Sequence, residues 1–181
     1  MRKPKYSFLF LVTLVALAAT PALGQRASDK PRPSPNASVA QTIGVTQVTI
    51  SYGRPGVKGR KIWGGLVPYD KVWRAGANEA TTIAFSNNVT IEAQNLPAGT
   101  YGLFTIPSAT EWTIIFNKTA QQWGAMNYDA AQDALRIKVK PRAAEHEEWM
   151  SFSFKNLSAK SATVVLRWEK LAVPFRIQVA Q

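Results

Sequence analysis

From Gln41 onward, apolar side chains recur at every second position in segment after segment. Leu135, Ile137 and Val139 alternate with Arg136, Lys138 and Lys140. Met150, Phe152 and Phe154 alternate with Ser151 and Ser153, and Val89, Ile91 and Ala93 with Thr90, Glu92 and Gln94. Val173, Phe175, Ile177 and Val179 close the chain in the same way. A period of two places one face against a core and the other in water, which is the signature of half-buried strands and not of helices. Further strands are expected at 43–52, 80–86, 100–106, 111–117 and 161–169, rich in Val, Ile, Thr and aromatics. Pro174 cannot donate to a ladder, so its strand is expected at a sheet edge.

The connections agree with this pattern. Asn95–Gly99 reads as a short turn, with Pro97 pre-setting φ and Gly99 supplying a positive one. Asn87-Asn88 reads as a two-residue hairpin, since Asn tolerates the left-handed region. Only Ala130–Leu135 suggests a short helix. About nine strands joined by short turns predict an all-β fold, an antiparallel β-sandwich or a jelly-roll-like barrel.

The two ends need separate treatment. Arg2, Lys3 and Lys5 precede an apolar run from about Phe8 to Ala19, then Pro21 and the small residues before Gln25. That order is a secretory signal peptide over 1–24, and about 12 apolar residues rise only ~18 Å as a helix, short of a ~30 Å hydrocarbon core. No transmembrane anchor is expected once it is removed, and the address is secreted or periplasmic. Residues 25–40, with three prolines and three serines, read as an extended leader, leaving 41–181 as one domain. The formal net charge of +11 falls to +8 when the three export cations are set aside.

One segment breaks the meander. Residues 54–79 run RPGVKGRKIWGGLVPYDKVWRAGANE, with five glycines, six basic residues and two acidic ones, so half of the remaining +8 sits here. Structureless connections of this length are uncommon in compact domains, and the aromatics need something to pack on, so an ordered flap is expected. Arg54, Arg60 and Arg74 offer planar donor forks for carboxylate, phosphate or sulfate. Trp63, Tyr69 and Trp73 offer flat apolar faces, and Asn78 and Glu79 close the segment. The alternative is that the tryptophans plug one end of the sandwich while the arginines pair with Glu79, Asp70 or loop carbonyls. A second unusual stretch, 117–133, carries Trp123 and Tyr128 off the alternating pattern, where they roof a pocket beside the flap or cover a strand edge.

The run from Arg54 to Pro107, with EWTIIFN, QWGAMNYD and ALRIKV after it, resembles a family of secreted bacterial proteins catalogued as domain of unknown function 2911. The resemblance spans about residues 41–179 and is densest over 54–82. It implies a secreted or periplasmic β-rich domain and supplies no catalytic residues to carry over.

Composition narrows the chemistry further. With no Cys and one His, thiol nucleophiles, Cys-ligated metals and His clusters are excluded, so no metal or other cofactor is expected. His146 lies in an acidic stretch that reads as an exposed turn. Export and the lack of an RNA-recognition motif or basic helix argue against nucleic acid, despite the basic balance. The expected function is binding of an envelope glycan or anionic small ligand by Arg54, Arg60, Trp63, Tyr69, Trp73, Arg74, Asn78 and Glu79, with Trp123 and Tyr128 opposite. A structural or protein-interaction module is the alternative. A hydrolase using Glu79 with Asp70 or Asp129 is the third reading.

Overall fold

The computed structural model describes residues 30–180. The expected signal peptide (1–24) and the first part of the leader lie outside the described residues. Among those described, no helix is long and apolar enough to cross a membrane.

Ten strands follow in order: β1 (Asn36–Ile43), β2 (Thr46–Gly53), β3 (Thr81–Phe85), β4 (Val89–Ile91), β5 (Gln94–Leu96), β6 (Gly99–Ile106), β7 (Trp112–Asn117), β8 (Asp133–Val139), β9 (Arg142–Lys155) and β10 (Ser161–Val179). They form an antiparallel β-sandwich. One sheet has six strands in the order β1-β2-β3-β6-β7-β8, the other four in the order β5-β4-β10-β9. Alternation works as expected: Val48, Ile50, Ile83, Leu103, Ile114 and Phe116 of the first sheet meet Ile91, Phe152, Val164, Leu166, Phe175 and Ile177 of the second, all at 5% exposure or less.

Several local expectations are corrected. The strand expected over 43–52 begins inside a hairpin: Gly44-Val45 turns between Ile43 and Thr46, and β1 starts at Asn36, within the segment read as leader. Asn87-Asn88 makes no hairpin, because β3 and β4 belong to different sheets and the chain crosses between layers there. The tight turn lies at Glu92-Ala93, both at positive φ (44° and 65°), so Ala93 leaves the alternation and 94–96 becomes β5. Ala130–Gln132 forms one 3₁₀ turn before β8. His146 lies on β9 and not in a turn. Pro174 is not on an edge strand: β10 lies between β4 and β9. Pro174 is tolerated because pairing to β9 ends at Ala172 and pairing to β4 begins at Ile177, so no ladder needs its missing N–H.

The six-stranded sheet also buries part of its outer face. Phe104 and Ile115 point away from the main core and are fully covered by Ala80, Val72, Ala125 and Tyr128. Gly102 lets this cover approach, since a Cβ there would lie 2.9 Å from the Thr119 carbonyl oxygen.

Candidate functional site

The flap is ordered because it completes both sheets. Its start extends the four-stranded sheet, with Val57 N donating to Glu148 O at 2.8 Å and Met150 N to Pro55 O at 3.0 Å, along the edge of β9. Its end takes the lane that β3 vacates beside β6, with Trp73 and Thr105 exchanging both backbone hydrogen bonds at 2.7 and 2.8 Å. Between these anchors it spans the gap between layers. At its root Gly53 is required, because a Cβ there would sit 2.1 Å from the Ala77 carbonyl oxygen.

Trp63 and Trp73 fill that gap. Trp73 is 9% exposed, stacks on Trp168 of β10 (5.9 Å, 18°) and donates from Nε1 to Gly76 O at 3.2 Å. Trp63 meets Trp73, Trp112 and Trp168 edge-on at 5.9, 5.0 and 5.8 Å. Val57, Ile62 and Val67 of the flap are buried in the same core. Of the two expectations held open for these tryptophans, the geometry is that of a plug, and their faces meet other rings instead of solvent. Tyr69 is 38% exposed, with its ring lying against Gly64.

The three arginines divide. Arg54 donates from Nε to Met150 O at 2.8 Å, and Arg60 from Nε and Nη2 to Val57 O and Gly56 O at 3.1 and 2.6 Å. Both clamp the flap to its own carbonyls and to β9. Arg74 makes no such contacts: its Nε is buried without a hydrogen-bond partner, and no carboxylate among the described residues pairs with it. Burial holds its pKa below the usual arginine value. An ionised group taken partly out of water without a counter-charge is costly, so its surroundings favour an arriving anion.

The two unusual stretches meet beside Arg74. Ala80 N donates to Gln122 O at 2.9 Å and Gly124 N to Asn78 O at 3.1 Å, and Glu79 bridges Trp123. Trp123 is 56% exposed, and a Cβ on Gly124 would lie 3.8 Å from Arg74 Nη1. Tyr128 is placed differently. Its ring covers Phe104 at 5.2 Å and its hydroxyl donates to Asp133 Oδ2 at 2.7 Å while accepting from Arg136 Nη2 at 2.8 Å. Burial first, then the Asp133 carboxylate, push its pKa up to about 12. It covers the sheet face, a position the sequence did not suggest.

Glu79 and Asn78 are engaged by the leader. Arg32 Nη1 lies 2.9 and 2.7 Å from the two Glu79 oxygens, and Asn78 Nδ2 donates to Ser34 O at 3.0 Å. Arg54 N donates to Pro35 O at 2.8 Å, so residues 32–35 strap the rim of the flap. Arg32 and Gly124 were missed by sequence reasoning, since a cation in a Pro-rich leader and a glycine in a polar loop carry no local signal. Of the other acids considered, Asp129 caps the 3₁₀ turn by accepting from Ala131 N. Among the described residues, no three His, Cys, Asp or Glu side chains gather as a metal site.

The family described as Protein of unknown function (DUF2911) matches residues 34–177. The chain belongs to DUF2911. The match takes in Ser34 and Pro35 of the strap, the whole flap and the segment 117–133, and leaves Arg32 just outside it. Comparison with curated proteins and with solved structures returns no match.

Proposed function

We propose that this DUF2911 chain is an exported binding domain for an anionic glycan or small organic anion of the cell envelope, held at Arg74 and Trp123. The observation that carries this reading is the half-buried Arg74 guanidinium, whose Nε has no partner and whose charge has no carboxylate beside it among the described residues. Trp123 carries an exposed indole one residue before Gly124, whose backbone lies beside the Arg74 guanidinium, and this pairing suits a sugar ring bearing a carboxylate, phosphate or sulfate, the ring stacking on Trp123 and the anion bridging to Arg74. The basic excess of the exported chain draws such polymers in at low salt. Export rests on the charged, apolar and small-residue order of 1–24.

Binding is favoured over turnover because the Glu79 carboxylate is occupied by Arg32 on both oxygens, leaving it poorly placed to move a proton. Titrating the protein with uronic-acid oligosaccharides, followed by tryptophan fluorescence, tests the reading. Trp123→Ala and Arg74→Gln should each weaken binding at least about tenfold, a loss of about 1.4 kcal/mol, with unchanged circular dichroism. Equal affinity for neutral oligosaccharides, or undiminished binding in both variants, overturns it.

A further inference from the structure

The ribbon β9–β10 is bent in its own plane. Between the pairs Arg167↔Ser151 and Glu169↔Glu147, and again between Glu169↔Glu147 and Leu171↔Ala143, β9 spends four residues where β10 spends two. β9 therefore takes the outer track of a curve and β10 the inner one, with Glu169 at the bend in a positive-φ conformation. The curve brings the two ends of β10 together. Val179 N donates to Lys160 O at 2.9 Å, and Arg176 Nη2 lies 3.3 Å from Ser161 Oγ.

A cleft of about 360 Å³ lies on the concave side, with Thr163 from one arm of β10 and Pro174 from the other in its wall. The volume suits a small molecule. Its charge is unbalanced: Lys138, Lys140, Arg142 and Arg176 line it against one carboxylate, Glu92. Lys138 is paired with Glu111 at 3.3 Å, and Glu92 Oε1 is taken up by the backbone N–H of Arg176 at 2.7 Å. Lys140 and Arg142 have no carboxylate partner among the described residues, whereas Arg32, Arg136 and Arg167 each rest on one.

The rim is also held in uncommon backbone. Glu92 and Asn156, which both line the cleft, have φ of +44° and +50°. Positive φ is uncommon outside glycine, although Asn adopts it more readily than most residues, and it persists where the surroundings impose it.

The geometry points to a second ligand site here, taking a small organic anion with two or more negative charges of the phosphate or carboxylate type. The Arg142 fork binds one charged group, and Lys140 and Arg176 hold the other. No residue is shared with the Arg74–Trp123 patch, so the two sites stand or fall separately.

Isothermal titration of the protein with inorganic diphosphate and with citrate at low ionic strength tests this. The expected result is saturable binding at one site that weakens with added salt. Arg142→Gln should weaken it at least about tenfold. Glu92→Gln keeps an acceptor for Arg176 N and removes the opposing charge, so it should tighten binding severalfold, an outcome that misfolding cannot mimic. Arg74→Gln should leave it unchanged. Preference for diphosphate assigns the phosphate class, and preference for citrate the carboxylate class. Saturable binding of neither anion, indifference to Glu92→Gln, or loss in Arg74→Gln with none in Arg142→Gln overturns the site.

Discussion

Replacing Trp73 separates a flap that belongs to the core from a flap that merely lies on it. The side chain is 9% exposed, stacked on Trp168 and edge-on to Trp63 and Trp112, and its Nε1 satisfies Gly76 O. Trp73→Ala removes the largest flap contribution to the core and leaves a cavity between rings too large to collapse, a loss of about 3–5 kcal/mol. For a domain of this size each kcal/mol moves the midpoint by about 3–5 °C, so thermal unfolding should begin ~10–20 °C lower. Trp73→Phe keeps an aromatic against Trp168 but drops the bond to Gly76 O, costing about 1–2 kcal/mol. Trp123→Ala, at a site 56% exposed, should stay within about 0.5 kcal/mol. Urea titrations with unchanged slope would place the effects in the folded state. A Trp73→Ala midpoint within about 2 °C of the parent protein would mean that the flap lifts away without disturbing the sandwich, and the plug would be wrong.

Two further outcomes follow from local geometry. Tyr128, with its pKa raised to about 12, contributes stability that is whole below the unfolded tyrosine value of about 10 and is lost as pH rises through about 12. Ultraviolet titration should show Tyr128 ionising late, alongside Tyr101, which burial also holds above the usual tyrosine value, and Asp133→Asn should shift Tyr128 down without fully normalising it, because burial is the larger cause. Ala93→Gly should raise the unfolding midpoint by about 3–5 °C, since φ of +65° costs an alanine about 1 kcal/mol that glycine does not bear; a lowered midpoint in differential scanning calorimetry would refute this.

The match between sequence and structure is uneven for physical reasons. Ile137 and Val139, Met150 and Phe152, and Val173 through Val179 face the core as their alternation requires, because burial of one face fixes register locally. β1 carries little strand signal because Ser38 and Gln41 make it polar at the sheet edge, where one face and one ladder suffice. Asn87-Asn88 looks more like a turn than Glu92-Ala93, yet the positive φ values fall on the latter. Pairing across β4, β5 and β10 overrides the preference of the single residues. Among the arginines, chemistry alone ranked Arg54, Arg60 and Arg74 together, and only the neighbouring carbonyls distinguish the two clamps from the one left without a partner.

The amino-acid order by itself determines that this is an all-β chain without thiol chemistry, with a long flap rich in glycine, tryptophan and cations. Those properties depend on residue type and spacing of two, which act over a few neighbours. Which of those cations are spent and which stay available depends on groups brought in from far along the chain. Arg32 reaches Glu79 across 47 residues and Arg54 reaches Met150 across 96, while Lys140, Arg142 and Arg176 come together in the wall of one cleft. Charge balance in a folded protein is set by distance in space, and that distance exists only once the two sheets have closed on each other.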